Sequence, residues 1–343
     1  MAATENAPAG PQRVSVVLTG PCNYRCFYCC VGHERLRGAR FGRLATPEGE
    51  RQLLQLLDGL GSCVLNLCGG GEVALLPNFL SLCGGAARNH RLELISNFSW
   101  DPTPFRRAVP ADRVDSLILS LHPEAESDLV GFQRRVLELG EAGYPLQIIY
   151  VAHPTRLGAI PEYHGFFTRH SLLFRVIPFR GEFEGRHYPQ AYTAEELARI
   201  LPYVVDFSTH YGFTRGARLH WGRPCAAGHR SFLLFEEDGR ILRCQHSRTV
   251  LGNLYDGWLH ALDRPAPCDA LVCLCGQCQA EEAFLQAYYR CGGQLAAPLP
   301  ETSLREYAAL CEPDWEFYEP YREALAAQHL HWGARPSPRD TSS

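Results

Sequence analysis

The residues of this chain best suited to chemistry are its cysteines, and three of them stand at a spacing that suits a metal cluster. Cys22, Cys26 and Cys29 lie at i, i+4 and i+7 in the run CNYRCFYC, directly after an apolar, β-rich stretch, Val14–Thr19. Three thiolates on one short loop can hold three corners of an iron–sulfur cubane and leave the fourth iron open to an incoming ligand. A structural site is normally closed by a fourth protein ligand, so a zinc knuckle is the competing reading of the loop taken alone. Cys30 adjoins Cys29, where chelation by both is strained, and it reads as a bystander. After a second apolar run, Cys63–Leu67, comes Gly69-Gly70-Gly71-Glu72. Glycines there let the backbone approach a ligand closely, and the carboxylate complements an ammonium group.

A second dense group comprises Cys225, Cys244, Cys268, Cys273, Cys275, Cys278 and Cys291, while Cys63, Cys68, Cys83 and Cys311 stand apart. The N-terminal stretch MAATENAPAGPQR has no apolar h-region and does not read as a secretory signal, so the protein is expected to be cytoplasmic. In a reducing compartment 15 cysteines are not a disulfide framework. Clustering points to metal, and so many thiols point to iron–sulfur more than to a single zinc. For the second group a structural zinc is the alternative, with His229 and His246 as further ligands. Cys275 and Cys278 form its easiest chelating pair.

Composition excludes other chemistries. All 33 basic residues are Arg, so the chain has neither a Schiff-base lysine nor a Walker-type phosphate loop. The net charge is −4 and no basic run stands out, which argues against a nucleic-acid partner. No apolar stretch reaches the roughly 18 to 20 residues that would span a membrane.

The elements that must position these residues alternate along the first two-thirds of the chain. Val14–Thr19, Cys63–Leu67, Leu92–Ser96, Ser116–Ser120, Leu146–Val151 and Leu173–Pro178 read as strands. Helical patterns separate them at Pro47–Leu60, Asn78–Asn89, Glu124–Gly140 and Ile160–His170, and Thr193–His210 follows. Apolar strands alternating with helices predict an α/β fold, a partial (β/α)6 TIM-like barrel with a helix-covered parallel sheet and its chemistry at the strands' C-terminal ends. The expected organisation is a disordered arm (1–12), the barrel (13–220), a small C-terminal iron–sulfur domain (221–292), a helical tail (293–331) and a disordered end (332–343).

CxxxCxxC after the first strand, with the aromatic Tyr28 before the last Cys, resembles the signature of the radical S-adenosylmethionine (SAM) superfamily. The resemblance implies a [4Fe–4S] cluster held by Cys22, Cys26 and Cys29, with an open iron that chelates SAM. Reduction then cleaves SAM to a 5′-deoxyadenosyl radical that abstracts hydrogen from a substrate. Gly69-Gly70-Gly71-Glu72 is similar to the family's Gly-Gly-Glu motif, which binds the methionyl amine; Val73 stands where Pro is usual. By the same resemblance Tyr28 lies against the adenine, and Ser96-Asn97-Phe98 sits where many relatives have Thr-Asn-Gly. Ser120 matches a ribose-contact position, His122 replaces a common Asp, and the backbone of Val176-Ile177-Pro178 meets the adenine. Cys225, thirteen residues, Gly239, four residues, Cys244 and LGNLYDG resemble the opening of the SPASM/twitch auxiliary domains. That implies at least one auxiliary [4Fe–4S] cluster, held by Cys225, Cys244 and two of Cys268, Cys273, Cys275 and Cys278. The run CDALVCLCGQC departs from the SPASM spacing.

Substrate residues are expected in the polar segment after the sixth strand, 179–188. Arg180 is placed there to clamp an anionic group, and Glu182 and Glu184 to meet hydroxyls or amines. His122, His153 and Cys68, at other strand ends, are further candidates, Cys68 as a hydrogen-atom donor. The favoured substrate is a small polar metabolite of sugar, aminocyclitol or nucleoside type in natural-product biosynthesis, with a reductant such as flavodoxin or ferredoxin. A maturase of a ribosomally made peptide is the alternative; the early first strand leaves no room for an N-terminal peptide-binding domain. A non-catalytic iron–sulfur or zinc protein is the third reading.

Overall fold

Six parallel strands lie side by side in chain order: β1 (Gln12–Thr19), β2 (Cys63–Gly70), β3 (Arg91–Ser96), β4 (Val114–Ser120), β5 (Leu146–Ala152) and β6 (Leu173–Pro178). They belong to a computed structural model that describes residues 12–29, 31–32, 36, 38–204, 209, 213, 218–219, 224–247, 249–268 and 272–273. Cys30, Cys275, Cys278, Cys291 and Cys311, residues 1–11 of the expected arm, and the tail from 293 onward lie outside the described residues.

A strand order that never reverses has one consequence. Right-handed crossovers then place every connecting helix on the same face of the sheet. These helices are α1 (Pro47–Leu60), α2 (Phe79–Ala87), α3 (Thr103–Ala108), α4 (Pro123–Glu126), α5 (Leu129–Glu141) and α6 (Ile160–Arg169). Capping residues start them: the Thr46 side chain accepts from Gly49 N before α1, with Pro47 at the first turn, and Asp128 accepts from Gly131 N before α5. The inward faces of α1, α2, α5 and α6 bring Leu53, Leu57, Leu82, Phe132, Val136, Leu139 and Phe167 into one core with Val16, Leu18, Leu65, Leu67, Leu94, Leu119, Ile148 and Val176.

The alternate strand positions are of another kind. Ser15, Asn66, Glu93 and Ser116 stand opposite one another in register across β1 to β4. Gln147 Nε2 donates to Ser116 Oγ at 2.8 Å, and Arg175 Nη1 donates to Gln147 Oε1 at 3.2 Å. Glu93 also receives the Asn66 amide and, at 2.8 Å, Arg13 Nη1. One polar residue from each strand thus joins a row of buried hydrogen bonds, in which Asn66 Oδ1 is left without a partner among the described residues. The apolar runs expected of these strands are therefore confined to the helix-bearing face over this stretch.

Beyond β6 the polar segment expected as a loop is a hairpin, β7 (Gly181–Phe183) and β8 (Arg186–Tyr188). Glu184 and Gly185 both have positive φ, the geometry of a two-residue type I′ turn. The next helix, α7 (Ala194–Ile200), is opened by a capping box of Thr193 and Glu196. It ends at Ile200, since Pro202 has no N–H to continue it, and a short 3-10 turn, Leu201–Tyr203, follows; of the rest of the helix expected through His210, residues 205–208 and 210 lie outside the described residues. The helix expected over Glu124–Gly140 is likewise split in two, α4 and α5, with Asp128 capping the second.

Four short strands form two pairs: β9 (Arg218–Leu219) with β16 (Val272–Cys273), and β10 (Pro224–Cys225) with β15 (Ala266–Pro267). β11 (Ser231–Phe235) runs parallel to the open edge of β1, then β12 (Arg240–Leu242), β13 (Val250–Asn253) and β14 (Trp258–Leu259) return antiparallel. Part of the 221–292 segment therefore extends the main sheet to ten strands among the described residues. No helix among them is long and apolar enough to cross a membrane.

Candidate functional site

The loop carrying Cys22, Cys26 and Cys29 leaves the C-terminal end of β1, and the glycine run after β2 grips its root. Gly20 N donates to Gly70 O at 3.0 Å and Glu72 N to Pro21 O at 2.9 Å. Gly69 and Gly71 have φ of 127° and 131°, and a Cβ on them would lie 2.5 Å from Leu18 O and 2.4 Å from Gly20 O. The close approach that requires glycine is thus to the end of β1, not only to a ligand as the sequence alone implied. On the return, the buried Glu236 at the end of β11 accepts from Thr19 Oγ1 at 3.1 Å and from Gly42 N.

Glu72 is 2% exposed and joins β2 to β3. Its carboxylate accepts from Ser96 Oγ and Asn97 N, both at 2.7 Å, and from Ala74 N at 3.1 Å. Burial raises its pKa above the usual carboxylate value, and these three donors oppose that rise. Asn97 carries the connection onward, its Nδ2 donating to Asn23 Oδ1 at 3.0 Å and lying 3.8 Å from Cys22 Sγ. Phe98 has φ of 53° and is wholly buried. The position keeps the left-handed backbone that a glycine would adopt freely, and packing against Trp100 and Phe132 holds it there.

Cys22, Cys26 and Cys29 are free thiols. They lie near enough that Cys29 helps to raise the pKa of both others, although burial is the main cause in each case. Cys26 Sγ donates to Glu124 Oε2 at 3.2 Å, and the same carboxylate takes Arg25 N at 2.9 Å. Among the described residues no three His, Cys, Asp or Glu side chains form a ready-made metal cage. The donor set nonetheless fits a three-thiolate cluster: three thiols on one loop, none in a disulfide, held at its root by backbone bonds and at Arg25–Cys26 by Glu124.

Tyr28 is buried in this loop, with its hydroxyl 3.0 Å from His122 Nδ1 and accepting from Arg156 Nη1 at 3.0 Å. His153 is 1% exposed and sits at the centre of an aromatic group, with Phe27, Phe179 and Phe183 edge-on at 4.6–4.7 Å and Tyr28 stacked at 6.0 Å. Phe27 itself is 57% exposed. His122 and His153 are both held neutral. Burial pushes each pKa from 6.5 down to about 4, Arg156 adding to the effect and, for His122, Glu124 opposing it. Between those values the unfolded chain binds more protons, so stability should fall as pH drops from about 6.5 towards about 4. Melting temperature against pH should decline more gently in a His122→Gln, His153→Gln double variant than in the wild type. Equal slopes would contradict this account.

The remaining sequence candidates are placed as follows. Ser120 is half-buried at the end of β4, opposite Ile149 of β5. Cys68 donates to Val16 O at 3.6 Å, and burial with the Glu93 charge pushes its thiol up to about 12, the state of a packed cysteine. Arg180 is exposed after β6, within electrostatic reach of Tyr192 and His246. Glu182 is exposed on β7, 4.0 Å from His187 Nε2, and Glu184 is in the turn. In the second cysteine group, Cys225 lies on β10 and Cys268 directly after β15, its partner strand. Arg243, next to Cys244, donates to Ala227 O at 2.9 Å and to Ala266 O and Pro267 O at 2.6 Å. It thereby ties Cys244 to the strand pair that carries Cys225 and precedes Cys268. Cys273 pairs with Arg218 through the β16 and β9 backbones. His229 Nδ1 lies 2.7 Å from Leu262 O. Sequence reasoning missed Glu124, Arg156 and Arg243; the clue for the first was an acidic residue just past a parallel strand's C-terminal end.

No protein-family model and no curated protein matches the chain. Among solved structures it is similar to Streptococcus suis SuiB bound to S-adenosylmethionine, with a TM-score of 0.50 and 16% identity over 72% of this chain and 64% of that one. It is likewise similar to anSMEcpe with bound AdoMet, with a TM-score of 0.50 and 13% identity over 72% of this chain and 78% of that one. The fold is that of the radical SAM enzymes. A further structure with this radical SAM fold, native anSMEcpe with bound AdoMet and Kp18Cys peptide, matches at a TM-score of 0.50 and 13% identity over 72% of this chain and 78% of that one. The chain spans less than two-thirds of SuiB, 64% of its length.

Proposed function

We propose that this chain is a radical SAM enzyme. The observation that carries the reading is convergence: at the C-terminal ends of consecutive parallel strands, the three-cysteine loop meets Glu72, Asn97 and His122, by way of Pro21, Cys22, Asn23 and Tyr28. Cys22, Cys26 and Cys29 would hold a [4Fe–4S] cluster with one open iron. Tyr28, Gly70, Gly71, Glu72, Asn97 and Ser120 would hold SAM, Glu72 meeting its ammonium and Tyr28 its adenine. When bound, the reduced cluster supplies the electron that splits SAM and yields the hydrogen-abstracting radical. The protein's part is to orient SAM, and the rings of Phe27, Phe179 and Phe183 around the buried His153 lie beside the loop. Cys225, Cys244 and two of Cys268, Cys273, Cys275 and Cys278 would hold an auxiliary [4Fe–4S] cluster. The bonds from Arg243, the residue before Cys244, to Ala266 O and Pro267 O of β15 support that set.

For the substrate, a small polar metabolite is supported by Arg180 and Glu182, exposed just past the C-terminal end of β6. A peptide substrate is supported by the peptide-bound anSMEcpe structure of the same fold. Deuterium-labelled sugars, aminocyclitols, nucleosides and short peptides, each incubated anaerobically with reconstituted enzyme, SAM and dithionite, separate the two. Deuterium in 5′-deoxyadenosine from a metabolite and not from peptides is the expected result. Transfer from a peptide alone would make the chain a peptide maturase, and loss of SAM without any transfer from either class would refute both substrate readings.

A further inference from the structure

Alternate residues of His122-Pro123-Glu124-Ala125-Glu126, immediately after β4, serve one purpose. His122 and Glu124 touch the cysteine loop directly, at Tyr28 Oη, Arg25 N and Cys26 Sγ. Glu126 acts one step removed: its Oε1 accepts from Arg156 Nη2 at 2.6 Å and from Tyr163 Oη at 2.7 Å. Arg156 comes from the 3-10 turn after β5, Pro154–Ala159, and its side chain is 9% exposed. One arm of its guanidinium is on Glu126 and the other on Tyr28 Oη, while its central carbon, Cζ, lies 5.6 Å from the Tyr28 ring centre and 4.7 Å from that of Tyr150. Tyr28 Oη, which accepts from Arg156, also lies within hydrogen-bond distance of His122 Nδ1, at 3.0 Å. The ring cannot swing without breaking both contacts.

Tyr28 occupies a critical place in the loop. Cys29 N donates to Cys26 O at 2.9 Å, closing a four-residue turn in which Phe27 and Tyr28 are the central pair. Fixing the Tyr28 side chain therefore fixes the turn that sets the separation of Cys26 and Cys29. A lysine could not do the same, since it lacks the planar fork that serves a carboxylate and a phenol together.

We propose that Arg156 is a positioning residue for the cysteine loop, acting through the hydroxyl of Tyr28 and anchored by Glu126. Its consequence for SAM rests on the radical SAM reading; its hold on the loop does not. The test is amide hydrogen exchange of residues 22–29 in the full-length chain, purified anaerobically with no SAM added. Tyr28→Phe and Arg156→Gln should each speed exchange of the loop by about tenfold, the effect of one lost charge-assisted bond. The double variant should exchange no faster than the quicker single one, because both changes break the same link. Tyr163→Phe, which loses a bond to Glu126 but none to Tyr28, should stay within about twofold of wild type, and amides of β3 and β4 should be unchanged throughout. In reconstituted protein, SAM affinity should fall by matching factors in Tyr28→Phe and Arg156→Gln. Unchanged loop exchange in Arg156→Gln, multiplied effects in the double variant, or equal loosening of β3 and β4 would each overturn the proposal, the last by making Arg156 a general stability residue. Because exchange is read without SAM, an intact SAM pool in the wild type would defeat the radical reading and leave the exchange result standing.

Discussion

Replacing Cys22, Cys26 and Cys29 together by alanine should abolish reductive SAM cleavage and leave the sheet folded. The three side chains belong to a loop, and the loop is held at its root by backbone bonds, Gly20 to Gly70 and Glu72 to Pro21, that need no thiol. Only Cys26 is buried, and its loss removes one contact with Glu124. Bound iron should fall by about four per chain, one cubane. Iron and sulfide should remain in the second cysteine group, visible by absorbance and EPR in the variant. Continued 5′-deoxyadenosine production would remove the loop from the chemistry. A triple variant that holds zinc and no sulfide would make the second group a zinc site.

At Glu72, two substitutions separate charge from architecture. Glu72→Ala should lower both SAM affinity and stability, because Ser96 Oγ and the Asn97 and Ala74 amides lose their acceptor. Leaving such buried donors unpaired costs about 1–3 kcal/mol each. Glu72→Gln keeps one carbonyl oxygen and the volume, so most of the stability should return. The charge-assisted bond proposed between Glu72 and the SAM ammonium would not return, and affinity should stay about 10- to 100-fold below wild type. Calorimetric SAM titration beside thermal melting of the two variants reads both effects. Wild-type affinity in Glu72→Gln would make the residue a brace between β2 and β3 and nothing more. Iron content should be unchanged in either variant.

The parts of the site that the sequence made legible are those encoded by spacing within one loop. Cys22, Cys26 and Cys29, Gly69 to Glu72, and the strand before each could be read without any tertiary contact. The polar row from Ser15 to Arg175 could not. Each strand contributes one such residue among apolar ones, and only the register across six strands lines them up. Arg156 and Glu124 were illegible for the same reason: their partners Tyr28 and Cys26 are 128 and 98 residues away. Phe98 hid a glycine-like backbone behind a core side chain. The end of α7 was written in Pro202, which a helical pattern through to His210 overrode.

The central claim is tested most directly by the fate of SAM itself. Anaerobically reconstituted wild-type protein, given SAM and dithionite and analysed by mass spectrometry, should form 5′-deoxyadenosine and methionine in equal amounts, even without substrate. SAM recovered intact from protein whose iron and sulfide sites are filled would contradict it.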